Sequence, residues 1–329
     1  MSHRFVVIGC GSIGKRHIRN LLHLGVKDIV AVDPTEPRRA EAAELGVEVA
    51  PSFDDALSFG PNACVIASPN KFHRQDLDSC LNARLHTLVE KPLAVTSEGL
   101  EATITGFESQ NLVGHVGTNF KFHPSFARMR EVLPSIGKVY AARAISGQFL
   151  PDWHPWEDYR NGYSARKDLG GGVLLDTHEL LYMTWFLGPG EAVASLNAKV
   201  SDLEIDTEDL AQVIIRHRGG AISTIQADYL QRTYQRNYEF TGSEGFLRWD
   251  VNEKAVKRWL KSTGEWTIWE EPRGHDLNQM YIDQTKQFLA AIESGDPSAV
   301  STPLRDGLEV LRLTEACKQS NEEMKVVSL

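Results

Sequence analysis

The chain has 329 residues, 42% hydrophobic and 24% charged, with a net charge of −9 at pH 7. That length predicts two domains, and the ordinary apolar and charged fractions describe a globular chain. The negative balance argues against a nucleic-acid partner, and no apolar run reaches the roughly 18 residues that a membrane span needs.

The N-terminus runs straight into a strand pattern, so no leader is expected. The scattered cysteines (Cys10, Cys64, Cys80, Cys317) read as reduced thiols of a cytoplasmic protein, without metal-like pairing. Strand patterns over 5–8, 29–32, 47–50, 63–67, 87–89 and 113–116 alternate with helical patterns over 15–24, 37–45, 53–59, 74–83 and 97–109. Such alternation predicts a doubly wound parallel sheet with helices on both faces, a dinucleotide-binding α/β domain over 1–118.

The first strand ends in Gly9-Cys10-Gly11-Ser12-Ile13-Gly14, the G-x-G-x-x-G pattern at a strand–helix junction. Gly9 permits the tight turn, Gly11 lets a pyrophosphate approach the backbone, and Gly14 lets helix and strand pack closely. The helix start, with Ser12 and Ile13, offers N–H groups to the phosphates. Asp33 ends the second strand about 20 residues later, where a carboxylate accepts hydrogen bonds from the ribose hydroxyls. It repels a 2′-phosphate, so NAD is expected over NADP, with Arg38 and Arg39 close by to soften that choice. Ligands of these sheets bind beyond the carboxyl ends of the strands. Ser68, Asn70 and His73 in the loop 68–73, then Glu90 and Lys91, then Asn119, all fall there and are further candidates for cofactor contact. Lys91, held extended before Pro92, is placed to hold a substrate hydroxyl, with Glu90 orienting its ammonium.

The second domain, 119–329, begins with a helix over 124–133. Strand patterns follow over 139–147, 193–200, 211–217, 221–228, 235–241, 245–250 and 255–260, joined by turns such as Arg218-Gly219-Gly220. A mostly antiparallel sheet for substrate binding and oligomerisation results, interrupted by a helix over 177–187 and closed by helices over 277–294 and 304–318, with the C-terminal helix free to pack back on the first domain. Three glycines, Gly170 to Gly172, precede Asp176 and His178. A histidine near its neutral pKa suits proton exchange with an alcohol during hydride transfer. Asp176 also fits a capping box with Glu179, which explains the aspartate without catalysis.

Together, the glycine turn, Asp33, the 68–73 loop, Glu90-Lys91-Pro92, the run 119–124 and the run 170–179 resemble the Gfo/Idh/MocA oxidoreductase family over nearly the whole chain. The resemblance implies an N-terminal Rossmann domain and a C-terminal α/β domain whose large open sheet forms the interface of a homodimer or homotetramer. It implies NAD(P)-dependent hydride transfer to or from a hydroxyl or carbonyl of a sugar or polyol. It makes Lys91 the lysine that contacts substrate and nicotinamide, His178 the acid/base, and Asp176 the aspartate beside it. The spacing departs from the family pattern: Thr177 alone separates Asp176 from His178, and Leu181 stands where a later aspartate would fall. The stretch 156–165, running on to 170–179, is similar to a subgroup associated with cell-surface sugar biosynthesis. That similarity implies an amino sugar or nucleotide sugar as substrate, with Tyr159, Arg160, Tyr163 and Lys167 lining the pocket. Lys121 and His123 are further substrate candidates, although His123, before a proline, also reads as structural. The alternative is a dinucleotide-binding protein with little turnover, a redox-sensing or scaffold subunit.

Overall fold

A computed structural model of the chain describes residues 3–155, 157–176 and 178–329. These separate into two compact units: residues up to Asn119 with Asp276–Leu308, and Phe120–His275 with Glu309–Leu329.

The first unit strings together β1 (Arg4–Ile8), α1 (Ser12–His23), β2 (Asp28–Val32), α2 (Glu36–Ala43), β3 (Glu48–Ala50), α3 (Phe53–Leu57), β4 (Ala63–Ile66), α4 (His73–Asn82), β5 (His86–Val89), α5 (Leu100–Ser109) and β6 (Gly114–Val116). Its strands are all parallel, in the order β3-β2-β1-β4-β5-β6. That order reverses between β1 and β4, which is where sheets of this kind bind dinucleotides. Phe5, Val6 and Val7 of β1 and Cys64, Val65 and Ile66 of β4 are buried. Central parallel strands need such continuous apolar runs, because helices cover both their faces.

The second unit holds α6 (Pro124–Val132), β7 (Val139–Gly147), α7 (Val173–Asp176), α8 (Glu179–Leu187), β8 (Gly190–Ala198), β9 (Leu210–His217), β10 (Ile222–Asp228), β11 (Gln235–Gly242), β12 (Gly245–Asp250), β13 (Ala255–Leu260) and β14 (Glu265–Glu270). With β15 (Val327–Ser328) they make a sheet in the order β14-β13-β12-β11-β7-β10-β9-β8-β15. The neighbours are antiparallel except for the parallel pair β7 and β10. Burial alternates along β9, so one face of the sheet packs on the core and the other meets solvent. The core side is aromatic, with Phe126, Tyr182, Tyr238, Phe240 and Trp249 in one cluster. Leu196, Ile214 and Ile222 stay exposed, as do Trp266 and Ile268 in β14.

Four expectations change. The domain boundary is not a single cut after residue 118, because the helix Asn278–Ser294 belongs to the first unit. Its Phe288 and Ala291 share a core with Phe5, Val7, Ile18 and Leu21. α1 begins at Ser12 rather than residue 15, since Gly11 is its N-cap. The helix expected over 177–187 starts at Glu179, Thr177 lying outside the described residues. α7, β14 and β15 are additions to the expected elements.

Candidate active site

In the first unit the glycine turn has the shape its spacing implies. Gly9 has a φ of +92°, and a Cβ there would lie 2.5 Å from the Ala67 carbonyl oxygen. A Cβ on Gly14 would come within 1.8 Å of the Gly9 carbonyl oxygen, so no side chain fits between helix and turn. A Cβ on Gly11 would meet nothing within 4 Å. The turn is therefore closed at Gly9 and Gly14 and open at Gly11, where a pyrophosphate would approach. α1 starts there with no side chain capping it and no acidic residue in its first turn, so its dipole end is available to an anion. Ser12 is exposed and Ile13 half-buried at this helix start. The residues present fit a dinucleotide.

Asp33 is buried directly beyond β2. It accepts the Cys10 N–H at 3.0 Å on one oxygen, and the Thr35 N–H at 2.9 Å and hydroxyl at 2.7 Å on the other. Burial pushes this carboxyl up, but those donors and the Arg38 guanidinium hold it below the usual range. Arg38 lies 3.9 Å from the Asp33 oxygen that Cys10 binds, and Arg39 donates to the Asp33 carbonyl at 2.8 Å. A charged carboxylate held in place is what a ribose diol requires. Burial of the neighbouring Cys10 thiol pushes it up to about 11, so that cysteine stays protonated.

The loop 68–73 is pinned rather than open. The ring of buried His73 faces the Pro92 carbonyl at 2.6 Å and the Ser68 carbonyl at 2.9 Å. Burial drives this histidine toward its neutral form, which can donate to one carbonyl at a time. With both ring nitrogens facing backbone, His73 ties its loop to the Lys91–Pro92 loop. Ser68 likewise donates to Asp76 at 2.5 Å. Asn70 and Asn119 are buried nearby in the chain at the ends of β4 and β6.

Lys91 follows β5 at the sheet's carboxyl edge, joined to Pro92 by a cis peptide. Glu90 beside it is held by a residue the sequence reading passed over. His17 of α1, fully buried, places Nε2 2.7 Å from Glu90 Oε1. A Cβ on Gly117 would lie 3.0 Å from the other Glu90 oxygen. Tyr281 closes this corner, its ring under the Arg16 guanidinium at 4.6 Å and edge-on to His17 at 6.2 Å. The buried position of His17 on α1, in an otherwise apolar row, was the one available signal.

In the second unit, Asp176 is buried and accepts three hydroxyl hydrogens. Tyr163 donates at 2.7 Å, Ser164 at 2.6 Å and Tyr229 at 3.1 Å. It ends α7 and does not cap α8, so the capping-box reading of Asp176 is corrected. Neither half of that box forms, because the Asp176 N–H goes to the Gly172 carbonyl at 3.0 Å and the Glu179 carboxylate accepts the neighbouring His178 N–H at 3.0 Å. Glu208 serves the start of α7, accepting from the Leu174 N–H at 3.3 Å. A Cβ on Gly172, whose φ is +111°, would strike that carboxylate at 2.5 Å.

His178 stacks on Tyr182 with ring centroids 5.5 Å apart, its Nδ1 3.2 Å from the Tyr182 hydroxyl. Below it Glu179 and Arg236 form a buried ion pair at 2.5 Å, with the Tyr238 hydroxyl donating to the same carboxylate at 3.3 Å. The Arg236 guanidinium covers the Phe120 ring at 4.0 Å.

The remaining substrate candidates scatter. His123 caps α6, its ring accepting the Ser125 N–H at 3.2 Å, and lies against Phe120, Phe126 and Trp249. Burial pushes it down to about 4, against the pull of Glu271. These contacts fit its structural reading. Lys121 is buried with its ammonium 5.4 Å from the Trp185 ring centre. Arg160 is exposed and paired with Glu204 at 2.9 Å, and the Tyr159 hydroxyl accepts the Glu204 N–H. Lys167 is exposed, its N–H donating to Asp206. Of the proposed pocket loop, Tyr163 is the member that binds Asp176; Trp156 lies outside the described residues.

Residues 3–118 match the Gfo/Idh/MocA model described as an oxidoreductase family with an NAD-binding Rossmann fold, and residues 126–248 match the C-terminal domain of the same group. Among known proteins, the chain is 29% identical to a myo-inositol 2-dehydrogenase of Thermotoga maritima, covering 99% of this chain and 98% of that one. It is 26% identical to a 1,5-anhydro-D-fructose reductase of Ensifer adhaerens over 94% of this chain and 96% of that one. A levoglucosan dehydrogenase solved with NADH and levoglucosan superimposes with a TM-score of 0.88 at 20% identity, over 100% of this chain and 99% of that one. At that identity the likeness speaks to the fold.

Proposed function

The chain belongs to the Gfo/Idh/MocA oxidoreductase family, and from that premise we propose that it is an NAD-dependent oxidoreductase of a ring alcohol or ketone of the sugar and cyclitol class. The observation that carries the reading is the turn open only at Gly11, at an uncapped helix start, with charged Asp33 held beside it. When bound, the nicotinamide exchanges a hydride with a substrate carbon. Gly9 to Gly14 and the first turn of α1 hold the pyrophosphate, and Asp33 holds the adenosine ribose. Lys91 holds and polarises the reacting oxygen, with Glu90 set by His17 beside it. His178 exchanges the hydroxyl proton. Asp176 keeps Tyr163, Ser164 and Tyr229 in one arrangement near the start of α8.

The cyclitol and anhydrosugar names of the relatives support the substrate class. The finer reading is an amino sugar or nucleotide sugar, which rests on the sequence stretch 156–165 running on to 170–179. The exposed face of the second unit's sheet, with Leu196, Ile214 and Ile222, would take a second copy of the chain.

The test is NAD reduction measured across cyclitols, anhydrosugars, amino sugars and nucleotide sugars, with Lys91→Met and His178→Gln beside the unaltered protein. Turnover that both substitutions abolish supports the reading. A good substrate whose turnover neither substitution slows overturns the assignment. Tight NAD binding with no turnover anywhere favours the second reading, a dinucleotide-binding subunit. The observation on that side is Asp176, whose carboxylate is taken by three hydroxyls.

A further inference from the structure

We propose that Tyr182 positions His178 and sets which of its ring nitrogens carries the proton, an inference that rests on reading His178 as the proton-exchanging residue. Tyr182 lies four positions along from His178, one turn of helix away. The two rings are parallel within 2° at 5.5 Å, and Tyr182 Oη lies 3.2 Å from His178 Nδ1. The Phe120 backbone N–H donates to the same oxygen at 3.1 Å. Tyr182 is fully buried, edge-on to Phe126 at 5.2 Å, with the Arg236 guanidinium 5.7 Å from its ring centre. The hydroxyl therefore has little freedom to move.

A backbone N–H can only donate, so Phe120 takes a lone pair of the Tyr182 oxygen and turns the hydroxyl hydrogen away from itself. Nδ1, 3.2 Å away, is in range to receive it. A neutral imidazole has one acceptor nitrogen and one N–H. With Nδ1 accepting from Tyr182, the ring hydrogen sits on Nε2. The opposite arrangement loads two N–H groups onto one phenolic oxygen and sends its own hydrogen elsewhere. The chain Phe120 N–H to Tyr182 O–H to Nδ1 thus selects the Nε2–H form of the resting ring. Tyr182 is in this sense a positioning residue, acting on substrate through His178 alone.

The experiment is a proton–nitrogen correlation spectrum of the full chain, labelled with 15N at histidine, at about pH 8.5 where imidazoles are neutral. His178→Gln assigns the ring. The expected spectrum shows Nε2 protonated and Nδ1 bare. In Tyr182→Phe the two nitrogens move toward averaged positions, and kcat falls on the order of tenfold while KM for NAD is unchanged. A resting ring with its proton on Nδ1 overturns the proposal, as does a His178 pattern that Tyr182→Phe leaves unaltered. If that variant does not fold, the spectrum of the unaltered protein still decides. The spectrum needs no substrate, so a failed sugar assay counts against the proposed function and not against the tautomer.

Discussion

His17 Nε2 lies 2.7 Å from Glu90 Oε1, joining the helix after the glycine turn to the residue that precedes Lys91. The helix after the glycine turn and the loop of Lys91 are thereby coupled through one part-buried hydrogen bond. Burial raises the Glu90 carboxyl, but the bond from His17 and the charges of His17 and Lys91 outweigh it and hold the group below its ordinary 4.5. A carboxyl depressed on folding stabilises the fold fully above the unfolded value, and that stability is lost as pH falls through the folded one. Thermal unfolding of Glu90→Gln beside the unaltered protein is therefore expected to differ most above pH 4.5 and to converge below it. Parallel curves across the whole range would refute this.

The Glu179–Arg236 pair is buried on both sides. Removing one partner leaves an uncompensated charge in the core. Glu179→Leu is expected to lower urea stability by about 3–5 kcal/mol, and the double change Glu179→Leu with Arg236→Met to recover much of it. A single variant within about 1 kcal/mol of the unaltered protein contradicts burial of the pair.

Two glycines of one turn are expected to behave oppositely. Gly11→Ala meets no atom within 4 Å, so the melting temperature holds while NAD affinity, by calorimetric titration, falls at least about tenfold. Gly14→Ala drives a methyl into the Gly9 carbonyl at 1.8 Å and lowers the melting temperature itself. Equal loss of stability in both variants would show that the open side of the turn is not open.

His123 falls from an ordinary 6.5 to about 4 on folding. Between those values the unfolded chain binds the extra proton, so folding stability declines as pH drops from 6.5 to about 4. His123→Asn keeps a capping side chain on α6 and is expected to flatten that decline in denaturant titrations at stepped pH. An unchanged slope means that the ring is not held neutral by its aromatic neighbours.

What the sequence made legible was local. The glycine turn and Asp33 are fixed by strand, turn and helix chemistry within a few dozen residues, and the structure places each where its spacing implies. β14 was in principle readable, since Glu265 to Glu270 alternates around Trp266 and Ile268. Those side chains are exposed, however, and the pattern carries no burial signal. The pairs that decide the site are remote in sequence. His17 meets Glu90, and Asp176 draws donors from Tyr163, Ser164 and Tyr229. No hydrophobic period records such meetings. The Asp176–His178 spacing departs from the family pattern, and a shared helix would turn the two side chains to nearly opposite faces. In the structure Asp176 ends α7 and His178 precedes α8, so the helical-face argument does not govern them.

The return of Asn278–Ser294 to the first unit also sets an order of events during synthesis. β1 leaves the ribosome well before Phe288, which packs on Phe5 and emerges only after all of Phe120–His275. The nucleotide-binding sheet must wait, with part of its apolar face uncovered, while the whole substrate unit is made. A nascent chain halted near residue 119 lacks the helix that covers Phe5, so the core of the first unit is completed from a segment made much later.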